Sequence, residues 1–284
     1  MTLPTHRVVR VEQVMGTVLS VHVHLEPEAA PRLVPAVERA IDAAVEEMRL
    51  IDRLASTYRD DSEVRRIADG RLRLEDAHPL VRELATRSAA LERATGGLVS
   101  AGWRGPGDPL AFDPTGIAKG WAVERAVRER LVPLLEAPGA IAAGMGAGGD
   151  LQLATAAGAD WSWRIGIADP RRPEGQGGGA PAGAGLLAVV DVVDGAVATS
   201  GTAERGAHII DPRTGLAARG ALAATVVADG LTEADAWATA AVVAGADDLG
   251  WIAEASTRCG LVVAPEGRVR RWSGPAEVVG AAAA

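Results

Sequence analysis

Asp235 and Thr239 stand four residues apart in "TEADAWATAAVVA" (232–244). In a helix that spacing puts a carboxylate and a hydroxyl on one face. Both are hard oxygen ligands of the kind Mg²⁺ accepts alongside water and phosphate oxygens. A solvated Asp and a Thr bonded to its own backbone would fit the same spacing. The residues around them are small and apolar, however, so this face is expected to be buried, where an unpartnered Asp is costly. That favours a metal. A second unusual placement lies in "FDPTGIAKGWAVERA" (112–126). Asp113-Pro-Thr-Gly116 reads as a turn, Ile117 onward as an amphipathic helix running to about Leu135, and Lys119 falls in its first turn. A helix start already carries partial positive charge. A lysine there asks for an anion.

Two further patterns invite chemistry and fail on context. "GMGAGG" (144–149) has the spacing of a dinucleotide-binding loop, but "DLQLATA" follows it and alternates like a strand, so no helix opens onto a phosphate. Ser200, His208 and Asp211 are the residue types of a hydrolase triad. No nucleophile elbow accompanies them, and a triad is defined by geometry, not by nearness in sequence. The five histidines make no metal-binding spacing: His22 and His24 alternate along one strand, and His6 and His78 read as surface residues.

The elements that position these groups read as α+β. Strands are expected at 7–14 and 17–25, around the break at Met15-Gly16. Long amphipathic helices follow at 31–54 and 79–94, the second closed by Gly96-Gly97. After the 117–135 helix come strands near 140–143, 151–154, 163–168, 186–193, 196–200, 208–210, 222–227, 260–264 and 269–272, with helix from 232 to about 255. The Gly/Pro-rich 170–185 reads as a mobile loop and 280–284 as a frayed tail. A single domain over 1–284 is expected.

The chain has 284 residues, 48% of them hydrophobic and 23% charged, with a net charge of −8. No basic stripe suggests nucleic acid, and no apolar run approaches a membrane span. One cysteine, Cys259, excludes an internal disulfide and suits the cytoplasm. Only one Tyr, Tyr58, and one Phe, Phe112, occur.

Seven patches taken in order resemble the ApbE family of flavin transferases, from about residue 11 to 273: "MGT" (15–17), "ASTYRDDSEVRRI" (55–67), the 112–126 stretch, "GGDL" (148–151), "WRIGIADP" (163–170), "HIIDPRTG" (208–215) and "TEADAWATAA" (232–241). The resemblance implies an ApbE-like fold, with mixed or antiparallel sheets, packed helices and FAD in a cleft between helices and sheet. It implies Mg²⁺-dependent transfer of FMN from FAD to a threonine or serine hydroxyl of an acceptor flavoprotein, with release of AMP. It carries over FAD contacts to Met15, Tyr58, Leu98, Val99, Ser100, Asp113, Lys119, His208 and Ile209, and metal contacts to Gly116 (through its carbonyl), Asp235 and Thr239. Asp235 and His208 become the catalytic residues, His208 as the base. No nucleic acid, membrane insertion or envelope signal is expected, so the acceptor would be cytoplasmic.

One departure stands out: Ser100 occupies a position where the family commonly has aspartate, so Ser100→Asp is expected to tighten FAD binding by about 1 kcal/mol. Lys119→Met is expected to weaken FAD binding while leaving the helix packing intact. Two rival functions share most of these features: a metal-dependent FAD pyrophosphatase, and an FAD-binding protein without chemistry.

Overall fold

A computed structural model describes residues 4–102, 112–172, 185–201 and 209–278. Most of the expected loop at 170–185, the tail at 280–284 and His208 lie outside these residues.

Among the described residues thirteen strands occur, in chain order β1 (His6–Val14), β2 (Thr17–Leu25), β3 (Ala140–Ala147), β4 (Asp150–Thr155), β5 (Trp163–Ala168), β6 (Leu186–Val192), β7 (Gly195–Gly201), β8 (Ile210–Asp211), β9 (Leu216–Ala217), β10 (Ala223–Ala228), β11 (Cys259–Val263), β12 (Val269–Ser273) and β13 (Ala276–Val278). Nine of them form one sheet in the order β1-β2-β3-β4-β7-β10-β11-β12-β13, with every neighbouring pair antiparallel. The helices are α1 (Ala30–Ala55), α2 (Glu63–Ala68), α3 (Pro79–Ala94), α4 (Thr115–Ala126) and α5 (Leu231–Ala244).

Side-chain alternation along the strands divides the molecule into layers. On β4, Leu151 and Leu153 face the β5–β6 ribbon, with Val192, Val197 and Val227 around them. Asp150 and Gln152 alternate to the opposite face, where α4 and α5 pack. That face holds the main core, from Val21 and Val23 of β2 through Ile41 and Met48 of α1 to Trp121 and Trp237. "GMGAGG" is the end of β3 and its hairpin turn into β4, so it opens no helix.

Two expected helices end early. Past Ala126 the chain widens into a π turn (Val127–Leu131) and then narrows into a 3₁₀ turn (Val132–Glu136). Pro133 accounts for this, since it cannot donate to an α-helical ladder. α5 stops at Ala244 because Gly245 turns left-handed at φ 87°, so the helix expected to reach 255 resumes only as a 3₁₀ turn at Gly250–Ala253. At the other end, α4 opens at Thr115, two residues before the apolar pattern begins.

Candidate functional site

The chemistry-bearing residues come from α4, α5 and the edge of the sheet beneath them. α5 is apolar on almost all sides and sits deep, with Asp235 only 8% exposed. Gly120 of α4 faces it. A Cβ on Gly120 would fall 2.9 Å from Asp235 Oδ2 and 3.1 Å from the Leu231 carbonyl, so only glycine permits this approach. Thr239, one turn on from Asp235, shares a 2.9 Å hydrogen bond with the hydroxyl of Ser200 on β7. Gly116 is exposed at the start of α4, with open space where a side chain would project. Asp235, Thr239 and Ser200 together offer only oxygens, which suits a hard cation. Among the described residues, no cluster of three His, Cys, Asp or Glu offers a different kind of metal site.

Lys119 has a partner that its sequence neighbourhood does not reveal. With the helix opening at Thr115, Lys119 lies just past the first turn, and its Nζ pairs with Asp150 Oδ2. The Asp150 side chain is 5% exposed and that of Lys119 is 22%. Asp150 Oδ1 accepts from the Thr199 backbone N–H at 3.0 Å. Lys119 is therefore structural as well as cationic, and the expectation that Lys119→Met leaves packing intact does not hold.

The turn leading into α4 is shaped by Asp113. Its Oδ1 accepts from the Thr115 backbone at 3.0 Å and from the Thr115 hydroxyl, and its own N–H donates to Ala101. The Thr115 hydroxyl also lies 3.3 Å from that of Thr57, which ties the end of α1 to the start of α4. Tyr58 follows with 91% of its surface exposed. It does not cap α1, whose end is closed by the Ser56 backbone N–H. A fully exposed aromatic beside this corner is available for a ring to stack on. Met15 occupies the β1–β2 turn at φ 55°, the only left-handed non-glycine among the described residues. That turn adjoins Gly148, whose N–H donates to Val18.

Leu98, Val99 and Ser100 lie on the segment after α3, which meets the turn into α4 where Ala101 accepts the Asp113 N–H. Val99 is buried, and Leu98 lines a cavity of about 290 Å³ together with Arg213, Trp237 and Trp251. A smaller cavity of about 200 Å³ adjoins it. Neither is lined by Asp235, Thr239 or Lys119, so these two hollows are not where the oxygen ligands converge. Ser100 donates to Glu92 Oε1 at 2.9 Å and accepts the Gly102 N–H at 3.1 Å.

Of the triad pattern, the two members among the described residues are engaged with other partners. Asp211 is held by Arg213 through both carboxylate oxygens, and that contact keeps its carboxyl below the usual carboxylate range. Ser200 is occupied with Thr239. Ile209, next to His208, is buried. The residues that sequence reasoning missed are Asp150 as the partner of Lys119, and Ser200 beside Thr239. The "GGD" of the 148–151 patch was the available signal for the first.

No helix among the described residues is long and apolar enough to cross a membrane. No curated protein sequence matches the chain. Solved structures do match in fold. The ApbE protein of Thermotoga maritima superposes with a TM-score of 0.73 at 23% identity, covering 94% of this chain and 97% of that one. The apo flavinyl transferase ApbE of Pseudomonas stutzeri gives 0.71 at 23% identity, covering 96% of each. The flavin transferase ApbE of Vibrio cholerae gives 0.67 at 18% identity, covering 95% and 98%. A sequence profile of the ApbE family matches residues 102–262, which include the α4 corner, Asp150 and α5. The chain belongs to the ApbE family.

Proposed function

We propose that this chain is one domain that transfers FMN from FAD to a threonine or serine hydroxyl of a cytoplasmic acceptor flavoprotein, with Mg²⁺. The observation that carries the reading is the approach of α4 to α5. It sets Asp235 against Gly120, with Thr239 a turn away and the exposed Gly116 a turn earlier on α4. Asp235, Thr239 and the Gly116 carbonyl would hold the ion, which supplies neutralisation of charge on the phosphate oxygens.

The chain's own residues do the rest. Lys119, held by Asp150, contributes positive charge next to the helix start. Tyr58 offers an open aromatic face for a ring of FAD. The acceptor hydroxyl oxygen forms a bond to the FMN-side phosphorus, the P–O bond to the AMP phosphate breaks, and AMP departs. The hydroxyl proton goes to a base, His208 by family resemblance, whose ordinary pKa of about 6.5 suits the task.

Asp235→Ala tests the reading. FAD binding, followed by flavin fluorescence, stays near the parent value while AMP release in Mg²⁺ falls to background. Normal AMP release by a folded Asp235→Ala variant refutes the metal assignment.

A further inference from the structure

The helix that carries Asp235 and Thr239 has no cap of its own. The first N–H groups of a helix lack intrahelical partners, and a Ser, Thr, Asp or Asn normally satisfies one of them. At α5 the capping position is Gly230, which has no side chain to offer. Two buried residues from other elements supply the partners. Glu124 of α4 accepts through Oε2 from the Thr232 N–H at 2.9 Å and from the Thr232 hydroxyl at 2.6 Å. Gln152 of β4 accepts through Oε1 from the Leu231 N–H at 2.8 Å, and its Nε2 donates to the Gly195 carbonyl at 3.2 Å. A Cβ on Gly230 would fall 2.6 Å from Glu124 Oε2, so the missing side chain is what admits the carboxylate.

Helical spacing connects these contacts to the proposed site. Gly116, Gly120 and Glu124 recur every fourth residue and form one row along α4. Thr232, Asp235 and Thr239 form one row along α5 by steps of three and four. The rows run in opposite directions: Glu124 meets Thr232, and Gly120 meets Asp235 one turn on. Helical spacing alone carries the rows one turn further, to Gly116 on α4 and Thr239 on α5. Gln152 fixes the same helix end from β4, two residues beyond the Asp150 that holds Lys119.

We propose that Glu124 and Gln152 are positioning residues for the metal ligands: they cap α5 from α4 and β4, and so set its height and rotation against Gly116 and Gly120. The inference rests on reading Asp235 and Thr239 as metal ligands. Glu124 and Gln152 act through α5, without contact to the ion or to FAD.

The test uses Mn²⁺ as an EPR-visible stand-in for Mg²⁺, titrated into the full chain with ADP, a pyrophosphate that has no FMN to give. Glu124→Ala and Gln152→Ala weaken Mn²⁺ binding by roughly 10–100-fold, the usual effect of losing a residue that orients a ligand. ADP affinity in EDTA stays at the parent value. Glu124→Gln, which keeps an acceptor oxygen, holds Mn²⁺ near parent affinity and covers the case in which Glu124→Ala does not fold. Thr232→Val, which removes only the hydroxyl, gives an intermediate loss. Parent-like Mn²⁺ affinity in folded Glu124→Ala or Thr232→Val, or a Glu124→Gln loss as deep as that of Glu124→Ala, overturns the positioning inference alone. Absence of Mn²⁺ binding by the parent chain overturns the metal reading, and this inference with it.

Discussion

Removing Lys119 exposes how the α4 corner is built. Lys119→Met keeps most of the apolar stem but leaves Asp150 as a buried carboxylate with one remaining hydrogen bond, from Thr199. Breaking a buried ion pair from one side costs about 3–5 kcal/mol. The Lys119 side chain is 22% exposed and Asp150 only 5%, so water screens one end and about 3 kcal/mol is the expected loss. At roughly 2–4 °C per kcal/mol in a chain of this size, the melting temperature falls by about 6–12 °C. Adding Asp150→Asn removes the stranded charge while keeping an oxygen for Thr199, and recovers most of that loss. FAD affinity separates from stability in the same set of variants. It falls at least tenfold in Lys119→Met and is not recovered by Asp150→Asn if Lys119 faces the phosphates as proposed. The assays are thermal melts of the parent, both single variants and the double, with FAD titrated by flavin fluorescence. A Lys119→Met melt equal to the parent refutes the buried pair. Full recovery of FAD affinity in the double variant refutes the phosphate-facing role.

Two further outcomes follow from contacts in the structure. Ser100→Asp places a second carboxylate beside Glu92, where like charges about 4 Å apart cost about 1 kcal/mol even in water; the single variant is less stable than the parent, and Glu92→Gln rescues it. A stable Ser100→Asp with tighter FAD binding would favour the expectation drawn from the family over the contact with Glu92. His24 is pushed down to about 4 by burial first, then by Arg7 and His22. The unfolded chain therefore binds the extra proton between its ordinary 6.5 and about 4, so stability drops as pH falls through that window, by at most about 3 kcal/mol. His24→Phe flattens that part of the pH–stability curve, and an unchanged slope removes His24 as its source.

Much of the architecture was readable because its signals are local. α3 matches its expected bounds, since Pro79 opens it and a glycine pair follows it. The β1–β2 hairpin follows its alternation around Met15-Gly16. Errors fell where one residue overrides a continuing apolar pattern, at Pro133 and Gly245. α2 went unread: it has six residues, too few for periodicity to register. That Asp235 and Thr239 share one helix was legible because their spacing is local. Lys119–Asp150 and Glu124–Thr232 were not, because their partners lie 31 and 108 residues apart and meet only when α4 packs on β4 and α5. Leu98, Val99 and Ser100 came from resemblance, and Ser100 is engaged by Glu92.

Transfer to a protein hydroxyl is what separates the proposed reaction from FAD hydrolysis. The most direct measurement incubates the chain with FAD, Mg²⁺ and a peptide carrying a threonine acceptor site, then weighs the peptide and quantifies nucleotides. Transfer predicts a peptide heavier by one phosphoester-linked FMN, AMP in equal amount, and neither product in EDTA or with Asp235→Ala. Free FMN and AMP with an unmodified peptide would contradict transfer in favour of FAD hydrolysis, and intact FAD would contradict catalysis altogether.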